Sequence, residues 1–332
     1  MSHDTNSQMA DVVLAQVALN TTDITATLRL YSELFGFDNG GGGVAWGDIA
    51  RVQGLEPDAY WMRWWMVGGQ PFFQLELFHH GHPKQRPLPE NWRPCDHGWV
   101  RFGVAVEDFD RVASGLGRRS IPILGTAGAS GKRRLAFRDP YVGVILEIME
   151  GAATASPAVV YATSSVPNIA RARVLYGKVL GADIQPLELL HKPEDESLWG
   201  LPDAQREGFL VRVGDRLLEI VSYSSPVGRT EAADHRIVDQ GIMNVGLGSR
   251  DVNAIKTLIA RVRAAGLKIT IPVSFGEVAG TYIVEPGLQV ELIGIPAHLD
   301  TMFGFKSIGR FVAPYAPGAT APGTPLGRAN FP

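Results

Sequence analysis

Four glutamates set the frame. Glu76, Glu147, Glu219 and Glu291 each stand in an otherwise apolar, strand-like run: "FFQLELF", "GVILEIME", "RLLEIVS" and "LQVELIG". Consecutive members lie 71, 72 and 72 residues apart. A buried strand selects against carboxylates, so an acid kept there must be paired, protonated or bound to a metal. Spacing this regular implies four copies of one unit of about seventy residues.

The starts of the four copies agree with this. Each reads as a short β-like run, then a capping residue, then a helical pattern. Asp23, Asp108, Asn168 and Asp251 are good N-cap types. Apolar residues follow at helical spacing, for example Ile24, Leu28, Tyr31 and Leu34, or Val252, Ile255, Leu258 and Val262. Gly36, Gly117, Gly181 and Gly266 stand where helices should stop. Strand-like runs such as "AYWMRWWMV", "GFLVRV" and "TYIVEP" come next. Each unit therefore reads β-α-β-β-β with its glutamate on the last strand, an α+β chain. "HPKQRPLPENWRP" joins units one and two, and "EGAATASPA" is the domain linker between units two and three. The expected division is residues 10–150, 159–295, and a Pro/Gly-rich tail, 296–332. That tail cannot build a core and is expected to wrap the surface or a neighbouring subunit of a homodimer. "GGGG" at 40–43 reads as a flexible connection, since no phosphate-loop Lys-Ser/Thr follows it.

Composition narrows the function. With 45% hydrophobic and 20% charged residues, the chain is an ordinary globular one. A net charge of -3 and no basic stripe argue against nucleic acid. Cys95 is the single cysteine, which excludes an intramolecular disulfide. The polar start "MSHDTNSQMADVV" lacks a signal-peptide pattern, and no apolar run has membrane-span length. A cytoplasmic protein with a small-molecule partner is expected.

The repeated starts, "YSELFGF", "YGKVLGA", "RDPYVGVILEI" and "EPGLQVELI", resemble the vicinal oxygen chelate superfamily, which includes glyoxalase I, extradiol dioxygenases and bleomycin-resistance proteins. The resemblance covers residues 10–295. It implies four βαβββ units forming two half-barrel cups, each able to hold a divalent metal with side chains from first and last strands. The matching first-strand positions are Gln16, Arg101, Tyr161 and Asn244, and the last-strand positions are the four glutamates. A first module of units one and two would then offer Gln16, Glu76, Arg101 and Glu147. A glyoxalase I-like site wants His where Arg101 stands, and a guanidinium cannot ligate a metal. The second module, with Tyr161, Glu219, Asn244 and Glu291, lacks the two-His-one-carboxylate set of an extradiol dioxygenase and reads as a structural copy.

Three functional expectations follow. In the first, Glu147 and Glu76 do acid/base chemistry of lyase or isomerase type and Arg101 anchors a small anionic or aromatic substrate. Gln16, Trp61, Arg63, Trp65 and Trp99 would line its pocket. The competing structural reading is a buried Glu-Arg-Glu network that only seals the cup. In the second, one divalent metal (Fe, Mn, Zn or Ni) is held by a displaced set of Gln16, Glu76, His80, His97 and Glu147, in a glyoxalase- or dioxygenase-like enzyme. In the third, the chain binds a hydrophobic compound without turnover, as a resistance-type protein, and needs neither acid/base pair nor metal.

Overall fold

A computed structural model describes residues 9, 11–128, 132–151 and 155–311. Unit one comprises β1 Val13–Asn20, α1 Ile24–Arg29, β2 Asp38–Trp46, β3 Tyr60–Val67 and β4 Gln74–His82. Unit two comprises β5 Gly98–Val106, α2 Phe109–Arg118, β6 Ile123–Ala127, β7 Arg134–Arg138 and β8 Ile145–Glu150. Unit three comprises β9 Ala158–Ser165, α3 Ile169–Arg173, β10 Asp183–Gln185, β11 Gln205–Val213 and β12 Arg216–Ser225. Unit four comprises β13 Gly241–Ser249, α4 Val252–Ala264, β14 Val273–Phe275, β15 Val278–Glu285 and β16 Leu288–Gly294. The α+β class and the fourfold βαβββ pattern hold. No helix among the described residues is long and apolar enough to cross a membrane.

The helix starts follow their chemistry. Asp23, Asp108, Asn168 and Asp251 each accept a hydrogen bond from a backbone N–H of the first turn. α1 and α3 run on into π-helical turns that end at Gly36 (φ +90°) and Gly181 (φ +75°). Gly117 differs from expectation: it lies inside α2, and the left-handed residue after that helix is Ser120, at φ +53°.

The glycine run is not a loose connection. Gly40–Gly43 lie within β2, paired antiparallel to β3. A Cβ at Gly42 would meet the Trp64 ring at 2.6 Å, so glycine admits the neighbouring indole.

Two eight-stranded sheets form, in the orders β14-β15-β16-β13-β1-β4-β3-β2 and β10-β11-β12-β9-β5-β8-β7-β6. The first joins unit one to unit four through antiparallel β1 and β13. The second joins unit two to unit three through antiparallel β5 and β9. The expected cups of units one with two and three with four are therefore corrected. Every unit offers the same edge, its first strand, so the repeat alone does not choose partners. Link length does: the short stretch 151–157 returns β9 beside β5, whereas the proline-rich 83–97 is long enough to carry the chain to the other sheet.

A reciprocal clasp ties the halves. Arg93-x-x-Asp96-x-Gly98 recurs as Arg236-x-x-Asp239-x-Gly241, 143 residues later. Asp96 accepts from Arg93 Nη2 (2.9 Å) and from Arg229 Nε (3.0 Å) across the seam. Asp239 accepts from Arg236 Nη2 (2.9 Å) and from Arg86 Nε (3.1 Å). These guanidiniums hold both aspartates at a pKa of about 2 despite partial burial.

Candidate active site

Strand alternation sorts the aromatic stretch of β3. Trp64 and Met66 enter the main core with the helices. Trp61, Arg63 and Trp65 turn to the opposite face, the inside of the cup shared by units one and four. The Arg63 guanidinium lies 4.2 Å from the Trp65 ring centroid, and its Nε lies 3.6 Å from Glu76. Trp65 Nε1 donates to Glu76 Oε1 at 3.0 Å. Trp61 packs with Phe78, Met243 and Tyr282.

From the facing strands come Asn244 on β13, Tyr282 on β15 and Glu291 on β16. Asn244 Nδ2 donates to Glu291 Oε2 at 3.2 Å, and the Gln16 amide lies 3.0 Å from the same oxygen. Tyr282 stands opposite Glu291 in the β15–β16 register. Burial and the charge of Glu76 push the Glu291 carboxyl up to about 8. Burial also raises Glu76, with Arg63 opposing, and lowers Arg63 against the pull of Glu76. Two carboxylates in one desolvated cup each disfavour the other's charge, which raises Glu291 the further.

Gln16 and Gln74 give the Glu291 proton a partner. In one direction Gln74 Nε2 donates to Gln16 Oε1 (2.9 Å) and Gln16 donates to Glu291. With both amides reversed, Gln74 donates to the carbonyls of Phe303 and Gly304 (2.7 and 2.8 Å). Gln16 then presents its oxygen to Glu291, which suits the protonated acid. Among the described residues, the buried polar atoms in this cup without a hydrogen-bond partner include Arg63 Nε, Trp61 Nε1 and Asn244 Oδ1.

The other cup is filled. Glu219 accepts from Arg101 Nη2 (2.6 Å) and Thr163 Oγ1 (2.6 Å), and His191 Nδ1 lies 2.9 Å away. Glu147 is bound by Tyr161 and Arg134, with His191 Nε2 at 3.3 Å. Arg101 also stacks 3.7 Å over Trp199. Arg101, Glu147, Tyr161, Glu219 and His191 are all fully buried. Burial alone would raise both acids, but His191 and Arg134 hold Glu147 at about 2, and His191 and Arg101 hold Glu219 well below the carboxylate range. Against its own burial, His191 is raised by Glu219 and Glu147, as an imidazolium clamped between two carboxylates.

The residues singled out from sequence therefore part company. Arg101 and Glu147 belong to the filled cup, while Glu76, Gln16, Trp61, Arg63 and Trp65 belong to the other. Glu291 joins Glu76 rather than Glu219, because units one and four share a sheet. Trp99 is nearly buried, its Nε1 donating to Gln289 O at 2.9 Å. The displaced metal set does not assemble. Glu147 is in the wrong cup, and His97 lies on the link beside Thr230 (3.4 Å). His80 is four residues past Glu76 on β4, about 13 Å along the strand. Its ring is buried without a hydrogen-bond partner, and burial lowers its pKa to about 4.

A metal in this cup would meet the four matching positions, Gln16, Glu76, Asn244 and Glu291. They do not make the imidazole-bearing set of a glyoxalase I-like site: all four offer oxygen donors alone, and the Arg63 guanidinium already supplies the cation beside Glu76. Among the described residues no three His, Cys, Asp or Glu side chains group as metal ligands.

Sequence reasoning missed His191, Trp199, Arg134 and Tyr282. His191 and Trp199 come from the irregular insertion between β10 and β11, which carries no periodic signal. Arg134 and Tyr282 sit on ordinary strands: Tyr282 stands opposite Glu291, whereas Arg134 stands opposite Met149 and reaches Glu147 diagonally, two positions away on β8.

No family model and no curated protein matches the chain. Solved structures do. The V278E mutant of glyoxalase I from Zea mays superposes with a TM-score of 0.60 at 17% identity, covering 91% of this chain and 98% of that one. A putative dioxygenase from Bacillus subtilis subsp. subtilis str. 168 gives a TM-score of 0.59 at 13% identity, covering 89% and 91%. At these identities the likeness is one of fold.

Proposed function

We propose that this chain, whose fold is that of the vicinal oxygen chelate superfamily, is an enzyme moving protons on a small organic substrate in the cup of units one and four. The supporting observation is the arrangement of charge in this cup: Arg63 Nε stands 3.6 Å from Glu76, and Glu291, raised to about 8 by burial and by Glu76, is held by Asn244 Nδ2 and the Gln16 amide. A substrate oxygen would accept from the Arg63 guanidinium, and a substrate hydroxyl would donate to Asn244 Oδ1, which has no donor.

The roles follow from charge. Glu76, beside the Arg63 guanidinium, accepts a proton from a carbon next to the substrate carbonyl. The electron pair moves onto the carbonyl oxygen, where Arg63 stabilises the developing anion. Glu291, protonated at neutral pH, returns a proton to the same intermediate. If it returns to a neighbouring carbon, the reaction is an isomerisation. If it goes to a departing oxygen, the reaction is a lyase step. Trp65, stacked on Arg63, favours a flat or anionic substrate.

Deuterium exchange tests this even while the substrate is unidentified. The wild type, incubated in D2O with a panel of keto and hydroxy organic acids, should label at least one at carbon. Glu76→Gln and Glu291→Gln should lose the labelling, and Glu147→Gln should retain it. Labelling that survives both cup substitutions and disappears with Glu147→Gln overturns the assignment.

A further inference from the structure

A cavity of about 910 Å³ lies on the seam between the sheets, walled by the two clasped links and by the turn from β15 to β16. Its volume is that of a site for a drug-sized molecule. Leu88, Trp92, Trp99, Ile242 and Leu288 give it apolar surface. Its acids are already answered: Asp96 by Arg229, Asp239 and Asp234 by Arg86, Glu285 by Arg171 and Glu231 by His235. Lys268, on the rim, has no ion-pair partner among the described residues.

Three strands carry this cavity to the carboxylate pair. Gln289 lines it and lies two residues before Glu291 on the same face of β16. Val284 lines it and lies two residues after Tyr282 on β15. Met243 lines it and immediately precedes Asn244 on β13. A two-residue step on a strand is about 7 Å. Met243, Ile237 and Val284 also pack with the apolar cluster around Trp61 and Tyr282 inside the cup. Lys268 pairs across from Val284, whose N–H donates to the Lys268 carbonyl at 2.9 Å. Glu291, the partly exposed member of the pair, lies two residues from the lining residue Gln289, and the exposed Lys268 is also among the lining residues.

We infer that the seam cavity receives the body of the substrate, an elongated, flat and largely apolar organic anion, with its charged end at Lys268 and its other end at Glu291. What happens at the inner end rests on the proton-transfer reading; the chamber and its ligand class do not. The two clasps keep the walls in place before the ligand arrives, so little ordering is needed on binding.

The probe is 1-anilinonaphthalene-8-sulfonate, an aromatic sulfonate, titrated into the full chain and followed by its fluorescence. The wild type should bind one molecule. Ala232→Trp, which fills the chamber from an exposed lining position, should abolish binding. Lys268→Ala should weaken it about fivefold, the size of an exposed charge contact. Glu147→Gln, in the other cup, should leave it within roughly twofold. No binding by the wild type, or binding indifferent to Ala232→Trp, overturns the chamber. Binding lost with Ala232→Trp but indifferent to Lys268→Ala overturns the anionic class. If Glu291→Gln keeps deuterium exchange while the dye results come out as expected, the proton-transfer reading fails and the chamber stands.

Discussion

Replacing Arg101 separates the two cups. Arg101 is fully buried, 2.6 Å from Glu219 and 3.7 Å over Trp199, and donates to Tyr223 at 3.1 Å. In Arg101→Gln the Glu219 carboxylate keeps Thr163 and His191 but loses its guanidinium. His191 is then the one cation shared by Glu219 and Glu147, with Arg134 on Glu147 alone. Breaking a buried pair from one side costs about 3–5 kcal/mol, because the remaining charge stays desolvated. Loss of the stacking on Trp199 adds to this within the same range. At roughly 2–3 °C per kcal/mol for a chain of this size, the melting temperature should fall by roughly 6–15 °C. Calorimetry and urea unfolding monitored by circular dichroism read the loss. Deuterium exchange measured at 20 °C, where the variant remains folded, should keep the wild-type rate constant. Arg63→Gln should do the reverse, with little loss of stability and no exchange. If Arg101→Gln melts within 2 °C of the wild type and loses exchange, the filled cup is the working one and this reasoning fails.

Exchange by the wild type should fall as pH rises through about 8, where Glu291 gives up its proton, and Asn244→Ala should move that limb because Asn244 donates to this carboxylate. The same shift has a stability consequence. The folded pKa of Glu291 is raised above its unfolded value of about 4.3, so its contribution is complete below about pH 4.3 and is lost as pH rises through about 8. Urea midpoints of wild type and Glu291→Gln, compared at pH 6 and pH 9, should show a decline in the wild type that the variant lacks. Gly304→Ala should destabilise by about 1–3 kcal/mol, since its φ is +73° and its Cβ would lie 2.3 Å from Trp65 Cγ; an unchanged melting curve would show that the C-terminal segment does not pack on Trp65. Dialysis against EDTA should leave exchange unchanged, and activity lost on dialysis and restored by a divalent metal would reverse the reading of Gln16, Glu76, Asn244 and Glu291.

The unit itself was legible because its signals are local. Capping aspartates, helical periodicity and one acid per last strand each depend on residues a few positions apart, so Asp23, Asp108, Asn168 and Asp251 act as their chemistry requires. Trp61, Arg63 and Trp65, grouped from sequence as pocket-lining residues, do share one face of β3. The reading failed at Gly40–Gly43, where glycine serves close packing of Trp64 and Trp65 rather than freedom of the chain. It failed again at His191, which reaches two acids from an aperiodic insertion.

From sequence alone came the four units, the identity of the acid in each, and the presence of one arginine among the eight strand positions where the fold can present a ligand. Which acids meet was decided only by the tertiary structure. Four equivalent units offer equivalent edges, so backbone hydrogen bonding is satisfied by either pairing. The long link 83–97, the short link 151–157 and the Asp96 and Asp239 clasps select units one with four and two with three. That choice puts Arg101 against Glu219 and seals one cup, and it places Glu76 and Glu291 together in the other, where burial and the charge of Glu76 push Glu291 up to about 8.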